Sequence, residues 1–197
     1  MSDDTIADLM EATHRALCKH GYAEVTMQDI AAESTKSKGT LHYHFESKQD
    51  LLESFLEFLL DRFEERTETV PGETPAEQLH EFTDELLTPS DDAAEEFRTA
   101  ILEIKAQSPY DDAFRERLRR FDDAFAEAVR EVVAEGVADG TFREEVDPEE
   151  VASFLTTYVN GAQTRHVGVG HPPERSAAEV YAYIDETLLT DSGGRTG

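Results

Sequence analysis

Between Ser34 and Leu52 the sequence STKSKGTLHYHFESKQDLL gathers three lysines, two histidines and two aromatic rings into a chain that is otherwise strongly acidic. Lys36, Lys38 and Lys48 are cationic donors, while Ser37, Thr40, His42, Tyr43 and His44 add hydrogen-bonding groups. Gly39 adds backbone with no side chain in front of it. Such a set suits an anionic, hydrogen-bonding polymer, because phosphates are met by cations and base edges by short polar groups.

Groups that make and break bonds do not stand out. The sequence has no glycine-rich phosphate loop, no GxSxG, no HExxH and no Cys–His pair at metal spacing. Carboxylate pairs are abundant, but 44 Asp and Glu among 197 residues generate them by chance. His166 and His171 flank Gly168 and Gly170 and could ligate a metal; with no second cluster beside them, a loop is the better account. No catalytic residue, metal or cofactor is expected, and the chain reads as a non-enzyme.

The 18 Lys and Arg leave a formal net charge of -26, which by itself argues against nucleic acid as a partner. That charge lies mostly beyond residue 50, away from the cationic stretch, and acids decorate nearly every helix surface. An acidic skin of this kind is expected of a halophilic protein kept dissolved in a very salty cytoplasm. Cys18, the single cysteine, fits a reducing compartment and the role of a small apolar residue. The opening MSDDTIADLM lacks the features of a secretory signal, and no apolar run approaches the roughly 20 residues of a membrane span. A cytoplasmic protein without membrane contact is expected.

The elements that must position the cationic stretch are helices, since apolar residues recur at helical spacing throughout and nowhere alternate over strand length. Leu9, Thr13, Ala16 and Leu17 line a first helix stopped by Gly21. Thr26, with Asp29 three residues on, opens a second, whose buried side is Ile30 and Ala31. A polar break at Ser34 to Lys36 precedes a third, about Ser37 to Phe45, that turns Leu41 and Phe45 inward. Ser47 caps a long fourth helix with a stripe of Leu52, Phe55, Leu56, Leu59 and Phe63. Beyond the VPGETP loop, helices are expected from Pro75, after a Ser90 cap, from Asp112 to about Ala138, from Asp147-Pro148, and through Val180, Tyr181, Ile184 and Leu188. The SGGRTG tail reads as disordered.

Two short helices around a tight turn, with another behind them, form a helix-turn-helix, whose second short helix enters the major groove. Lys36, Ser37, Lys38, Gly39 and Thr40 would then approach base edges, and His42, Tyr43, His44 and Lys48 would meet phosphates. A solvated cationic helix remains the plain alternative.

The stretch TMQDIAAESTKSKGTLHYHFESKQDLL, Thr26 to Leu52, closely resembles the DNA-binding signature of the TetR/AcrR transcriptional regulators. Gly21-Tyr22, Thr26, Ile30-Ala31, Ser37, Gly39-Thr40-Leu41, Tyr43, Phe45, Lys48 and Leu51-Leu52 carry the match. GVADGTFREEVDPEEVASFLTTYVNG is similar, less closely, to the C-terminal part of the BetI-like members. The resemblance implies an all-α protein: a helix-turn-helix DNA-binding domain over residues 1–47, a larger helical ligand-binding and dimerisation domain over 48–190, and a tail over 191–197. It adds Thr26 and Gln28 to the DNA contacts and leaves Leu41 and Phe45 in the core. The chain departs from the family in the turn, where Thr35 and Lys36 stand for the usual Gly and buried Val, and at His42, which replaces a frequent Tyr. A β-branched Thr resists positive φ, so a remodelled turn is expected.

The resemblance further implies a homodimer formed by the last two long helices, for which Leu155, Val159, Val180, Ile184 and Leu188 are the candidates, and an apolar pocket for an unidentified small-molecule effector. Phe63, Leu102, Tyr110, Phe121, Phe125, Tyr158 and Gln163 are the pocket candidates, although an aromatic stripe at helical spacing is more often plain core. The function implied is a sequence-specific regulator, by family default a repressor, released from a palindromic DNA operator by its ligand. The competing reading is a helical protein-interaction module that has lost DNA binding.

Overall fold

The computed structural model of the chain describes residues 3–67, 71–88 and 92–190, and among them the regular structure is helical. In order come α1 (Asp3–Glu24), α2 (Met27–Glu33), α3 (Lys38–His44), α4 (Lys48–Thr67), α5 (Pro75–Leu87), α6 (Asp92–Gln107), α7 (Asp112–Asp139), α8 (Pro148–Val169) and α9 (Pro173–Tyr183). A 3-10 turn at Ser108–Tyr110 precedes α7, and a π turn at Ile184–Leu188 continues α9. One isolated antiparallel bridge pairs Phe142 with Leu189.

Local chemistry sets the helix ends. The Thr26 hydroxyl accepts from the Asp29 N–H while the Asp29 carboxylate accepts from the Thr26 N–H, closing the expected capping box. Thr74 and Glu77 repeat the device ahead of Pro75, and Asp147 caps α8 ahead of Pro148. Ser47 accepts from the Asp50 N–H at 3.1 Å to start α4. Gly21 at φ 69° breaks α1 near its end, and Gly170 at φ 66° ends α8, both in the region glycine enters at little cost. The expected Ser90 cap and the tail from residue 191 lie outside the described residues.

The chain forms two compact units. The first contains α1 to α3, α4 as far as Phe63, α6 and the start of α7 through Arg120. Leu9, Met10, Leu17, Ile30, Leu41, Leu52 and Phe55 share its core with Ala100 and Ile104 of α6 and Phe114 of α7. The compact unit is therefore larger than residues 1–47. The physical reason is that α1 buries more apolar surface than α2 and α3 can cover, and α6 supplies the rest. Buried Thr13 costs little there because its hydroxyl donates to the Leu9 carbonyl at 2.8 Å.

The second unit takes the end of α4, α5, α7 from Phe121 onward, α8 and α9. Leu79, Phe82, Phe125, Val129, Val133, Leu155, Val159, Val180 and Ile184 are buried in it. Phe142, fully buried, crosses α7 at Gly136, whose carbonyl accepts from the Phe142 N–H at 2.8 Å. A Cβ on Gly136 would lie 2.2 Å from the Phe142 ring and 3.0 Å from Pro75. Gly136→Ala should therefore destabilise the protein by about 1–3 kcal/mol, since overpacking outweighs the helix propensity gained. Chemical denaturation of both proteins measures this, and an unchanged or raised midpoint would contradict it.

Candidate nucleic-acid interface

The reading helix α3 is held from beneath by Leu41 and Phe45, both buried, and capped by Ser37, whose hydroxyl accepts from the Thr40 N–H at 3.1 Å. On its other side Ser37, Lys38, Gly39, His42 and Tyr43 are exposed, Tyr43 to 83%. Gly39 is not among the positive-φ glycines, and a Cβ on it would meet nothing nearer than Ser37 Oγ at 3.6 Å. The fold itself does not require this glycine. Thr40 and His44 are half-buried, His44 lying edge-on to Tyr43 with ring centroids 5.2 Å apart. Thr26 and Gln28 are exposed at the start of α2, with the Thr26 hydroxyl turned onto Asp29 at 2.6 Å.

The cations divide into used and available. Arg15 and Lys19 of α1 are spent on Glu33: Lys19 Nζ pairs with its carboxylate at 2.7 Å and Arg15 donates to its carbonyl at 2.8 Å. Lys36 and Lys38 form no ion pair among the described residues.

Lys48, expected to meet a phosphate, is also tied into the fold. It is half-buried, and its ammonium donates to the carbonyls of Tyr22 at 2.7 Å and Val25 at 3.0 Å while lying over the Tyr22 ring. These are carbonyls orphaned where Gly21 breaks α1. Burial pushes the ammonium pKa down, opposed by the nearby Glu103 and Glu24 carboxylates. The Tyr22 N–H in turn donates to Glu103 of α6 at 2.6 Å, and its ring packs edge-on against Phe114. One residue thereby ties together α1, α4, α6 and α7.

The turn between α2 and α3 is built without a left-handed residue. No non-glycine residue has positive φ among the described residues, so Thr35 avoids the strained conformation. Asp8 of α1 holds the turn instead: its carboxylate accepts from the Ser34 hydroxyl at 2.5 Å, the Thr35 hydroxyl at 2.7 Å and the Thr35 N–H at 3.2 Å. The Ser34 hydroxyl oxygen accepts from the Lys36 N–H at 2.9 Å. Sequence reasoning missed Asp8, because one acid among so many carries no signal of its own; a turn rich in hydroxyls facing an α1 acid was the available hint.

Of the pocket candidates the second unit holds Phe121, Phe125, Tyr158 and Gln163. Phe125 is buried edge-on against Phe82, the Tyr158 hydroxyl donates to Glu179 at 2.5 Å, and the Gln163 amide donates to the Leu86 carbonyl at 3.0 Å. Desolvation, aided by the hydrogen bond to the Glu179 carboxylate, pushes the Tyr158 pKa up to about 12. Phe63, Leu102 and Tyr110 belong to the first unit, Tyr110 being 90% exposed. A cleft of about 410 Å³ instead lies among Glu64, Gln78, Glu127, Glu131, Glu135 and Val132. The interface candidates Leu155, Val159, Val180, Ile184 and Leu188 are all buried within the unit, at most 6% exposed; the outward side of α8 and α9 shows Phe154, 43% exposed, stacked on Tyr183. His166 and His171 sit at the α8 C-terminus, where His166 Nδ1 donates to the His171 carbonyl and Arg165 donates to His171 Nδ1. Among the described residues no group of three or more His, Cys, Asp or Glu could hold a metal, and no helix is long and apolar enough to cross a membrane.

A short capped helix, exposed on one side and packed against α2 across a tight turn, followed by a helical second unit, defines the class of helix-turn-helix regulators. The family description "Bacterial regulatory proteins, tetR family" matches residues 9–55, and "BetI-type transcriptional repressor, C-terminal" matches residues 75–189. The chain belongs to the TetR family of transcriptional regulators, with a C-terminal domain of the BetI type. A TetR transcription regulator from Haloarcula marismortui superposes with TM-score 0.83 at 36% identity, over 94% of this chain and 99% of that one. The HTH-type transcriptional repressor AcnR of Corynebacterium glutamicum is 25% identical over 92% of this chain and 90% of its own length. A putative transcriptional regulator from Saccharomonospora viridis, solved in complex with choline, shares the fold at TM-score 0.78 and 22% identity, over 96% of this chain and all of that one. The protein is thus a DNA-binding transcriptional regulator.

Two predictions follow from the geometry of this site. Lys48→Met should lower stability by about 1–3 kcal/mol through the two carbonyls it leaves unpaired. Thermal melts of the two proteins read the effect. For Asp8, the Ser34 hydrogen bond, opposed by desolvation and aided by the bonds from Thr35, holds the carboxyl below its ordinary 3.8. A depressed acid stabilises the fold fully above its unfolded pKa and loses that contribution as pH falls through the folded value. The stability difference between wild type and Asp8→Asn should therefore be constant near neutrality and shrink below about pH 4, as measured by urea unfolding across pH.

Proposed function

We propose that the protein is a homodimeric repressor that sets two α3 helices about 34 Å apart in successive major grooves of a palindromic operator, and that a small ligand releases it. The observation that carries the DNA half of this reading is α3 itself, where Lys36, Lys38, His42 and Tyr43 surround a glycine for which the fold has no need. Lys38, Gly39 and Thr40 read base edges, with Ser37 and Lys36 at the helix entrance. His42, Tyr43 and His44 meet the backbone, and Thr26 and Gln28 reach it from α2. The exposed Phe154, with the half-buried Tyr183 packed against it, gives the second copy an apolar surface that Leu155 and Val159, occupied in the core, cannot.

For the effector, the cleft in the second unit favours a cation: Glu64, Glu127, Glu131 and Glu135 line it, and no Lys or Arg does. Choline, bound by the Saccharomonospora viridis protein, is a cation of suitable size. The aromatic set with Phe125, Tyr158 and Gln163 is the site for an apolar effector, but the polar groups of Tyr158 and Gln163 are already engaged. The acidic surface suits a salty cytoplasm, where counterions already compete for phosphate and specific contacts carry more of the affinity.

A duplex enriched from a random-sequence pool, titrated by fluorescence anisotropy from low to molar KCl, tests this reading. Binding should exceed that of a shuffled duplex by at least about a thousandfold, persist at high salt, and weaken when millimolar choline is added. Phe154→Asp should shift the protein from dimer to monomer in light scattering with its helicity retained. Equal binding of both duplexes would instead favour a helical interaction module; release by apolar compounds alone would move the effector to the aromatic set.

A further inference from the structure

We infer that Asp8 is a positioning residue for DNA reading, which from α1 holds the α2–α3 turn through Ser34 and Thr35 and so fixes the register in which Lys36, Ser37 and Lys38 meet DNA. The inference rests on DNA binding through α3, and the experiment below separates the two.

Asp8 is followed by Leu9 and Met10, both fully buried, so its backbone is anchored in the core of the first unit. Its two carboxylate oxygens take three hydrogen bonds from two consecutive turn residues. Ser34 passes the constraint on, accepting from the Lys36 N–H, and the next residue is Ser37, the cap of α3. The path from the rigid α1 to the first turn of the reading helix is thus a chain of short polar contacts. A turn built from Ser34, Thr35 and Lys36 has no glycine to take a sharp conformation and no buried apolar side chain to pin it, since Ser34 and Lys36 are half-buried and Thr35 is exposed. Side-chain hydrogen bonds to Asp8 do the pinning.

Electrostatics gives the inference its opposite-sign test. A carboxylate beside a DNA-facing turn repels phosphate, so neutralising an acid there should tighten DNA binding generally. A positioning acid should behave the other way on its specific site alone, because a loosened turn misplaces base contacts while sequence-independent attraction is untouched.

The test uses the full-length protein and a duplex enriched by the wild type from a random pool. Affinities for it and for a shuffled duplex are measured at one KCl concentration, corrected for folded fraction by circular dichroism. Asp8→Asn should bind the enriched duplex roughly tenfold more weakly or worse, with binding to the shuffled duplex equal or tighter. Asp4→Asn, an exposed acid on the same helix, should weaken neither. Thr35→Val should lose affinity for the enriched duplex, and combining it with Asp8→Asn should add little, as expected of two groups in one contact. If Asp8→Asn does not fold, Thr35→Val and Ser34→Ala carry the same expectation. Undiminished binding of the enriched duplex by these variants, or an equal loss on both duplexes, would overturn the inference alone. Failure of the wild type to enrich any duplex would overturn DNA reading itself, and the inference with it.

Discussion

A helix of seven residues has too few internal hydrogen bonds to persist in water, so α3 exists because something holds it. Leu41 and Phe45 bury its inner side against the core of the first unit, Ser37 caps its start, and Asp8 holds the turn before it. The outward Lys38, His42 and Tyr43 are placed only as well as Leu41 and Phe45 are packed. The same core recruits α6 and the first turns of α7, and the unit that carries the reading helix is accordingly larger than three helices.

Tyr22 concentrates this dependence at one peptide. Its N–H is held by Glu103, its carbonyl by Lys48, and its ring by Lys48 and Phe114. The break at Gly21 creates backbone groups without helical partners, and a buried cation and a carboxylate take them up. Lys48 therefore has a structural role in the fold, beside the phosphate contact that the family signature implies for it.

Most of the helical architecture was legible in the chain, for local reasons. Thr26 with Asp29, Pro75, Asp147-Pro148 and Gly21 announce helix ends through groups that act within a few residues, and the structure uses each of them. Leu9, Ala16, Leu17, Ile30, Leu41 and Phe45 follow from helical spacing and are buried. Phe125, Tyr158 and Gln163 fitted a ligand cage by type and spacing, yet their partners Phe82, Glu179 and Leu86 come from other segments that spacing does not reveal. Leu155, Val159, Val180, Ile184 and Leu188 lie on apolar helix faces, and an apolar face reads the same in sequence whether its own unit or a second copy covers it.

The sequence by itself determined the all-helical architecture, the capped reading helix and the family, because periodicity, caps and a contiguous motif are properties of neighbouring residues. Only the tertiary structure decided which side chains are free to act. Asp8 and Ser34 are 26 residues apart, as are Tyr22 and Lys48, and Gly136 meets Phe142 across a chain reversal. Hydrogen bonds and close packing at such separations depend on how helices cross, and that crossing is set by the shared core, which no single segment encodes.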